Sequence, residues 1–187
     1  RKRIGWDDET IVALYTGHLY PWKGVDTLIA AGVGLPSQVR IRIVGGGPRL
    51  SELDARAKES GAACDFIGQV RHDDVPIYLA AADMVVIPNS GKEEISRAYT
   101  SPLKLFEALA AGKAIIASDL PSLREALDES VAILVSSDDP GALRNAILSL
   151  ANNAEHRRAL GIAAAARGSH HGWEARAEAI LAFIRKQ

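Results

Sequence analysis

The sequence predicts an α/β fold: a doubly wound, Rossmann-like parallel sheet of about six strands, with helices on both faces and a helical C-terminal tail. Two observations predict the sheet. Short, mostly apolar, β-rich runs recur at residues 10–16, 39–44, 64–67, 84–87, 114–117 and 131–135, and most lack the alternation of a half-solvated antiparallel sheet, as strands covered on both faces do. Segments of helical character separate them, and strand–helix–strand repeated five times implies right-handed crossovers within one parallel sheet. A third observation predicts the tail: beyond Ser136 no further strand pattern occurs.

Taken in order, the first run exits at Gly17 and leads into a helix over 24–31. In the second, Arg40 and Arg42 alternate with Val39, Ile41 and Ile43, which places it nearer a sheet edge. Three glycines and Pro48 then open a helix over 49–59, since proline suits a first helical turn. The third run stops at Gly68, before a helix over 75–82 capped by Asp73 or Asp74. After the fourth run, residues 89–100 read as a long irregular loop, and such loops in compact domains are usually functional or disordered. The loop feeds a helix over 102–111 carrying both boundary signals: Ser101 as N-cap with Pro102 at the first position, and Gly112 as the stop. A short helix over 123–127 separates the last two runs. The tail, 138–187, reads as three helices of the same domain, with a break at 168–172. The last one has Trp173, Ala177, Ile180, Leu181 and Ile184 at three- and four-residue spacing, an apolar stripe to bury.

Length and composition bound the function. At 187 residues, the chain suits one large domain, here taken as 1–187. Its 22 basic and 23 acidic residues give a formal charge of −1, which argues against a nucleic-acid partner held by bulk electrostatics. Cys64 is the single cysteine; it cannot form an internal disulfide or a cysteine-based zinc site, so a reducing compartment is the simplest reading. No apolar run approaches the roughly 18 residues needed to span a bilayer, and RKRIGWDDET is not a signal peptide. Beginning at Arg1, the chain reads as an excised fragment.

In an open parallel sheet, ligands bind outside the carboxyl ends of the strands, and four loops lie there. In TGHLYPWKGVD, Lys23 opens a helix on the side where an anion is favoured, although alone it reads as a solvated lysine. VGGGPRLSEL allows close backbone approach at its glycines, but it is not the G-x-G-x-x-G dinucleotide fingerprint. In FIGQVRHDDV, His72 reads as an exposed loop histidine, because no second histidine or cysteine lies at metal-ligand spacing. In SPLKLFEALAAG, free amides at Ser101, Leu103 and Lys104 make a ready phosphate site. Glu107 lies one to two turns further on, where a carboxylate would accept hydrogen bonds from a ribose diol.

The four segments, in this order, resemble the C-terminal donor-binding domain of family-4 retaining glycosyltransferases of the GT-B fold. TGHLYPWKGVDTLIAA is similar to that family's G-R-L-x-x-x-K-G loop, and IRIVGGGPRLSEL to its Gly-Gly-x-Pro turn. DFIGQVRHDDVPIYLAAADMVVIPN resembles its F-x-G…Y-x-x-A-D-x-x-x-x-P block, and SPLKLFEALAAGKAIIASDLPSLREAL its E-A-x-A-x-G-x-P-V-I-A-x-D block. The resemblance implies a nucleoside-diphosphate sugar, UDP- or GDP-linked, as donor. Lys23 and His18 would face its diphosphate, with Gly17 and Gly47 nearby, and backbone at Val70 would pair with the base. Glu107 would hold the ribose, and amides of Leu103 and Lys104 the β-phosphate. No metal and no cofactor are implied. The acceptor, a sugar or lipid-linked group, would be met by a missing N-terminal domain, in a cytoplasmic enzyme of glycan or glycolipid synthesis that is peripheral at the inner membrane through that domain. The last helix would then have lost its docking surface, and should fold back on 148–166 or pair with a second copy in a homodimer.

Two positions depart from the family pattern. His18 stands where arginine is common, and histidine is only partly charged near neutral pH. Tyr99 stands where a glutamate commonly meets the donor sugar, leaving Glu93 or Glu94 to reach in. These departures keep two other readings open: a non-catalytic nucleotide-binding or assembly module of the same fold, and a GT-B-like UDP-sugar epimerase.

Overall fold

The computed structural model describes residues 1–99 and 103–185. Six parallel strands, β1 (Ile11–Thr16), β2 (Val39–Val44), β3 (Cys64–Gly68), β4 (Met84–Ile87), β5 (Ala114–Ser118) and β6 (Ala132–Val135), form one sheet in the order β3-β2-β1-β4-β5-β6. That is the doubly wound α/β architecture expected.

Alternate residues of the central strands feed two apolar cores. Val12, Leu14, Val85, Ile87, Ile115 and Ala117 enter one; Ala13, Tyr15, Met84, Val86, Ala114 and Ile116 enter the other. The first is covered by α3 (Val75–Ala81), α5 (Leu103–Ala110), α6 (Pro121–Arg124) and part of α8 (Ala154–Gly168). The second is covered by α1 (Val25–Gly32), α2 (Leu50–Glu59) and α7 (Pro140–Asn152). Burial on both faces is why the strands read as continuous apolar runs.

The arginine alternation in β2 has a local cause. The strand is one in from the edge, which is β3. Arg40 pairs with Asp65 on β3, and the Arg42 guanidinium lies 4.3 Å from the centroid of the buried Trp6 ring, a cation–π contact. Trp6 follows a 3-10 turn, Lys2–Ile4, and meets Tyr78 edge-on at 5.6 Å. The N-terminal segment therefore covers part of the sheet.

Three expectations need correction. The 89–100 segment is not wholly irregular: α4 (Glu94–Ala98) lies within it, fastened by Ser96 Oγ donating to the Trp22 carbonyl at 3.3 Å. The helix expected over 123–127 starts earlier, with Pro121 in its first turn. The last helix, α9 (Trp173–Ile184), does not fold back: Ile180, Leu181, Phe183 and Ile184 are 50–67% exposed. Ser101 and Pro102, the expected start of the α5 helix, lie outside the described residues, whereas Gly112 ends it at φ +62° as expected. Asp139 and Asn153 cap α7 and α8 by accepting from the Ala142 and His156 amides. Among the described residues, no helix is long and apolar enough to cross a membrane.

Candidate functional site

The crevice at the centre of the sheet follows from strand pairing. β1 pairs with β2 along all six residues, but with β4 only at Ala13↔Met84 and Leu14↔Val85. Toward their carboxyl ends β1 and β4 thus leave each other, at the point where strand order reverses and open α/β sheets bind ligands.

The loops above this gap are clipped together backbone to backbone. The Ser90 amide donates to the Trp22 carbonyl at 2.9 Å, and a Cβ on Gly24 (φ +69°) would lie 1.7 Å from the Pro88 carbonyl oxygen. On the other side, Leu19 N donates to Gly46 O and Gly45 N to Gly68 O. A Cβ on Gly45 would lie 1.8 Å from the Gly17 oxygen. Only glycine permits such contacts.

Within the rim, buried polar atoms lack hydrogen-bond partners among the described residues: Thr16 Oγ1 at the end of β1, both amide atoms of Asn89 just past β4, and Lys104 Nζ in the first turn of α5. Most buried polar groups are satisfied, so such a group requires an explanation. Lys104 is 9% exposed; its Cδ lies 3.9 Å from where a Gly17 Cβ would be, and its Nζ 4.2 Å from the Tyr15 ring centroid. Tyr15 is held in turn by donating to the His18 carbonyl at 2.7 Å. Lys23 is half-buried in the 3-10 turn Pro21–Lys23. Burial lowers the pKa of both lysines, and the nearby Lys23 charge lowers that of Lys104 further. Neither lysine has a carboxylate partner among the described residues. Arg49 in the neighbouring loop differs, being committed to Asp26 and Glu52. Two lysines beside a low-dielectric wall, uncompensated, suit a multivalent anion.

A lysine with its folded pKa depressed binds fewer protons folded than unfolded, so the stability of the ligand-free chain should rise with pH from the depressed value to about 10.4. Cys64 opposes this above about pH 8.5, because burial raises its thiol pKa to about 12 and the thiolate is favoured only on unfolding. Urea titrations of wild type and Lys104→Met between pH 7 and 8.5 isolate the lysine. The wild type should gain stability relative to the variant; parallel curves would show that burial does not depress the lysine into this range.

Beside the lysines lies a cavity of about 290 Å³ lined by Thr16, Gly17, His18, Gly46, Gln69 and Val70. A second, of about 370 Å³ between α3 and α5, is lined by Pro76, Leu79, Glu107 and Ala110. His72 and Val75 border both, so the two adjoin. Gly17, His18 and Val70 thus line the first cavity and Glu107 the second, and the Lys104 stem approaches the first at Gly17. At Gly47, whose φ is +151°, a Cβ would lie 3.3 Å from Leu19 N on the first loop. Tyr99 and Leu103 are exposed at 75% and 74%; Leu103 begins α5, where its amide belongs to the first turn. Ser101 lies outside the described residues. Glu93 does not reach in: it borders a separate cavity of about 360 Å³ with Asp26, Thr27, Lys92 and Asp138.

Sequence reasoning missed Thr16, Asn89, the His72 junction and the Lys104 side chain. For Lys104 a signal existed: Lys104, Leu105, Ala108 and Leu109 are the buried face of α5, and a lysine within that apolar stripe is anomalous.

The model of a family described as "Glycosyl transferases group 1" matches residues 1–167. The D-inositol 3-phosphate glycosyltransferase of Xylanimonas cellulosilytica is 28% identical, over 97% of this chain and 43% of its own length. The GDP-mannose-dependent monoacylated alpha-(1-6)-phosphatidylinositol monomannoside mannosyltransferase of Corynebacterium glutamicum is 26% identical, over 100% of this chain and 50% of its own. The chain thus spans half or less of these curated relatives. Among solved structures, Anabaena HepE in complex with UDP and glucose superposes with a TM-score of 0.78 at 25% identity, over 91% of this chain and 46% of that one.

Proposed function

The chain belongs to the group 1 glycosyl transferases, and from that premise we propose that it is the nucleotide-sugar half of a retaining glycosyltransferase. Its site takes a nucleoside-diphosphate sugar, and a glycosyl group passes to a sugar or lipid-linked acceptor bound by the rest of the enzyme. The observation that carries this reading is the pair of uncompensated lysines, Lys23 and Lys104, in the crevice between β1 and β4. A relative whose name specifies GDP-mannose and a neighbour solved with UDP and glucose support the ligand class.

In this reading the base lies against Gln69 and Val70, the ribose hydroxyls donate to the Glu107 carboxylate, and the diphosphate meets Lys23 and the first-turn amides of α5 at Leu103 and Lys104. Departure of the nucleoside diphosphate leaves negative charge on its β-phosphate, which preorganised lysine charge stabilises more than it stabilises the bound donor. The acceptor attacks the same face of the sugar. Leaving-group charge falls to side chains and helix amides, with no metal in the scheme. Acceptor choice and contact with the inner face of the cytoplasmic membrane belong to the rest of the enzyme, and the uncovered apolar face of α9 makes this piece alone prone to pair with a second copy.

The test is a thermal-shift panel of UDP-, GDP- and ADP-sugars on the 187-residue chain. A ligand at 100 times its Kd should add about 2.7 kcal/mol of stability. A panel in which no nucleotide sugar shifts the transition at millimolar concentration would refute donor binding.

A further inference from the structure

The scheme above counts the Lys104 ammonium in the positive charge of the crevice but gives it no contact, only its backbone amide being assigned one, and its position is hard to explain structurally. The ammonium is fully buried, makes no hydrogen bond among the described residues and has no carboxylate partner there. Its company is the face of the Tyr15 ring at 4.2 Å and the charge of Lys23. A cation–π contact offsets only part of the loss of hydration. A leucine or methionine would suit the apolar face of α5 better. The orphaned Thr16 hydroxyl and Asn89 amide mark the same end of the central strands.

We propose that Lys104 is a second diphosphate-binding cation, held on the Tyr15 ring and extended past Gly17 to the phosphates when the donor binds. The stem makes this feasible. Four methylenes separate the ammonium from the helix backbone, and the Cδ already lies beneath Gly17, where no side chain blocks it. Among the described residues nothing comparable ties the head group, whereas Lys113 is fixed by donating to the Ala80 and Ala82 carbonyls. The inference rests on the donor-binding reading, but its own content is an anion contact by one side chain.

Lys104→Met retains the stem and removes the charge; Lys104→Arg retains the charge. With inorganic pyrophosphate and UDP as probes in calorimetry, Lys104→Met should weaken both at least tenfold, leave any affinity for uridine unchanged, and melt at or above the wild-type temperature. Lys104→Arg should bind within a few-fold of wild type. Unchanged pyrophosphate affinity in Lys104→Met overturns the proposal, and so does a lower melting temperature in that variant, because a structural lysine predicts loss of stability. UDP bound equally by wild type and Lys104→Met would leave donor binding standing without Lys104. Pyrophosphate bound through Lys104 by a chain that binds no nucleotide sugar would do the reverse.

Discussion

Glu107→Ala is expected to weaken nucleoside-diphosphate binding by roughly 10- to 150-fold, the equivalent of about 1.5–3 kcal/mol for a lost charged acceptor. Glu107 borders the cavity between α3 and α5, next to the cavity that holds Gly17 and Val70. A ribose there would donate two hydroxyls to one carboxylate, and water would recover only part of those bonds after truncation. Glu93→Ala is the matched control, because that carboxylate borders the separate cavity beyond Gly24. Calorimetry with UDP and GDP reads both. Equal affinity for wild type and Glu107→Ala would move the ribose elsewhere, and an equal loss from Glu93→Ala would show a general charge effect.

The second large effect is on stability. Gly24→Ala is expected to destabilise the chain by at least about 3 kcal/mol. The new Cβ would lie 1.7 Å from the Pro88 carbonyl oxygen, on backbone at φ +69°. The atoms it would meet, in Pro88 and Ser90, are all backbone, so the β1 and β4 loops would have to separate. Gly34→Ala isolates the backbone contribution, since Gly34 has φ +75° and open space around its Cβ position; about 1–2 kcal/mol is expected there. Denaturant titration of both variants should show the larger loss at Gly24, and equal losses would mean that the loops part easily.

The sheet was legible in the sequence because both its faces are covered, which makes each strand an apolar run bounded by turn residues. The α4 helix was not: KEEISRA is polar on most sides, and a tertiary bond from Ser96 to Trp22 helps to fasten it. The β2 arginines suggested an edge because the sequence does not announce that Trp6, some 36 residues upstream, will stack on Arg42. His18, Val70 and Glu107, which border the two adjoining cavities, were singled out in the sequence by loop position and motif. Thr16 and Asn89 were passed over because a polar residue at a strand end usually meets water, and only the parting of β1 from β4 beneath the clipped loops turns these two into buried groups. The α9 stripe was read as needing a partner; its residues Ile180, Leu181 and Ile184 stand exposed, and periodicity cannot say whether a partner lies in the same chain.

The two-rung ladder between β1 and β4 also shapes how the molecule comes together. Residues 11–68 supply three neighbouring strands in an unbroken stretch, and residues 84–135 supply the other three. Most strand pairing is therefore between segments close in sequence, which keeps loop-closure entropy small and folding fast for a parallel sheet. Each half is a contiguous supersecondary stretch, the kind of segment that often opens as a unit in hydrogen exchange. Their seam is the line of fewest hydrogen-bonded rungs, so a ligand seated across it would act as a staple, joining two folding units as well as occupying a site.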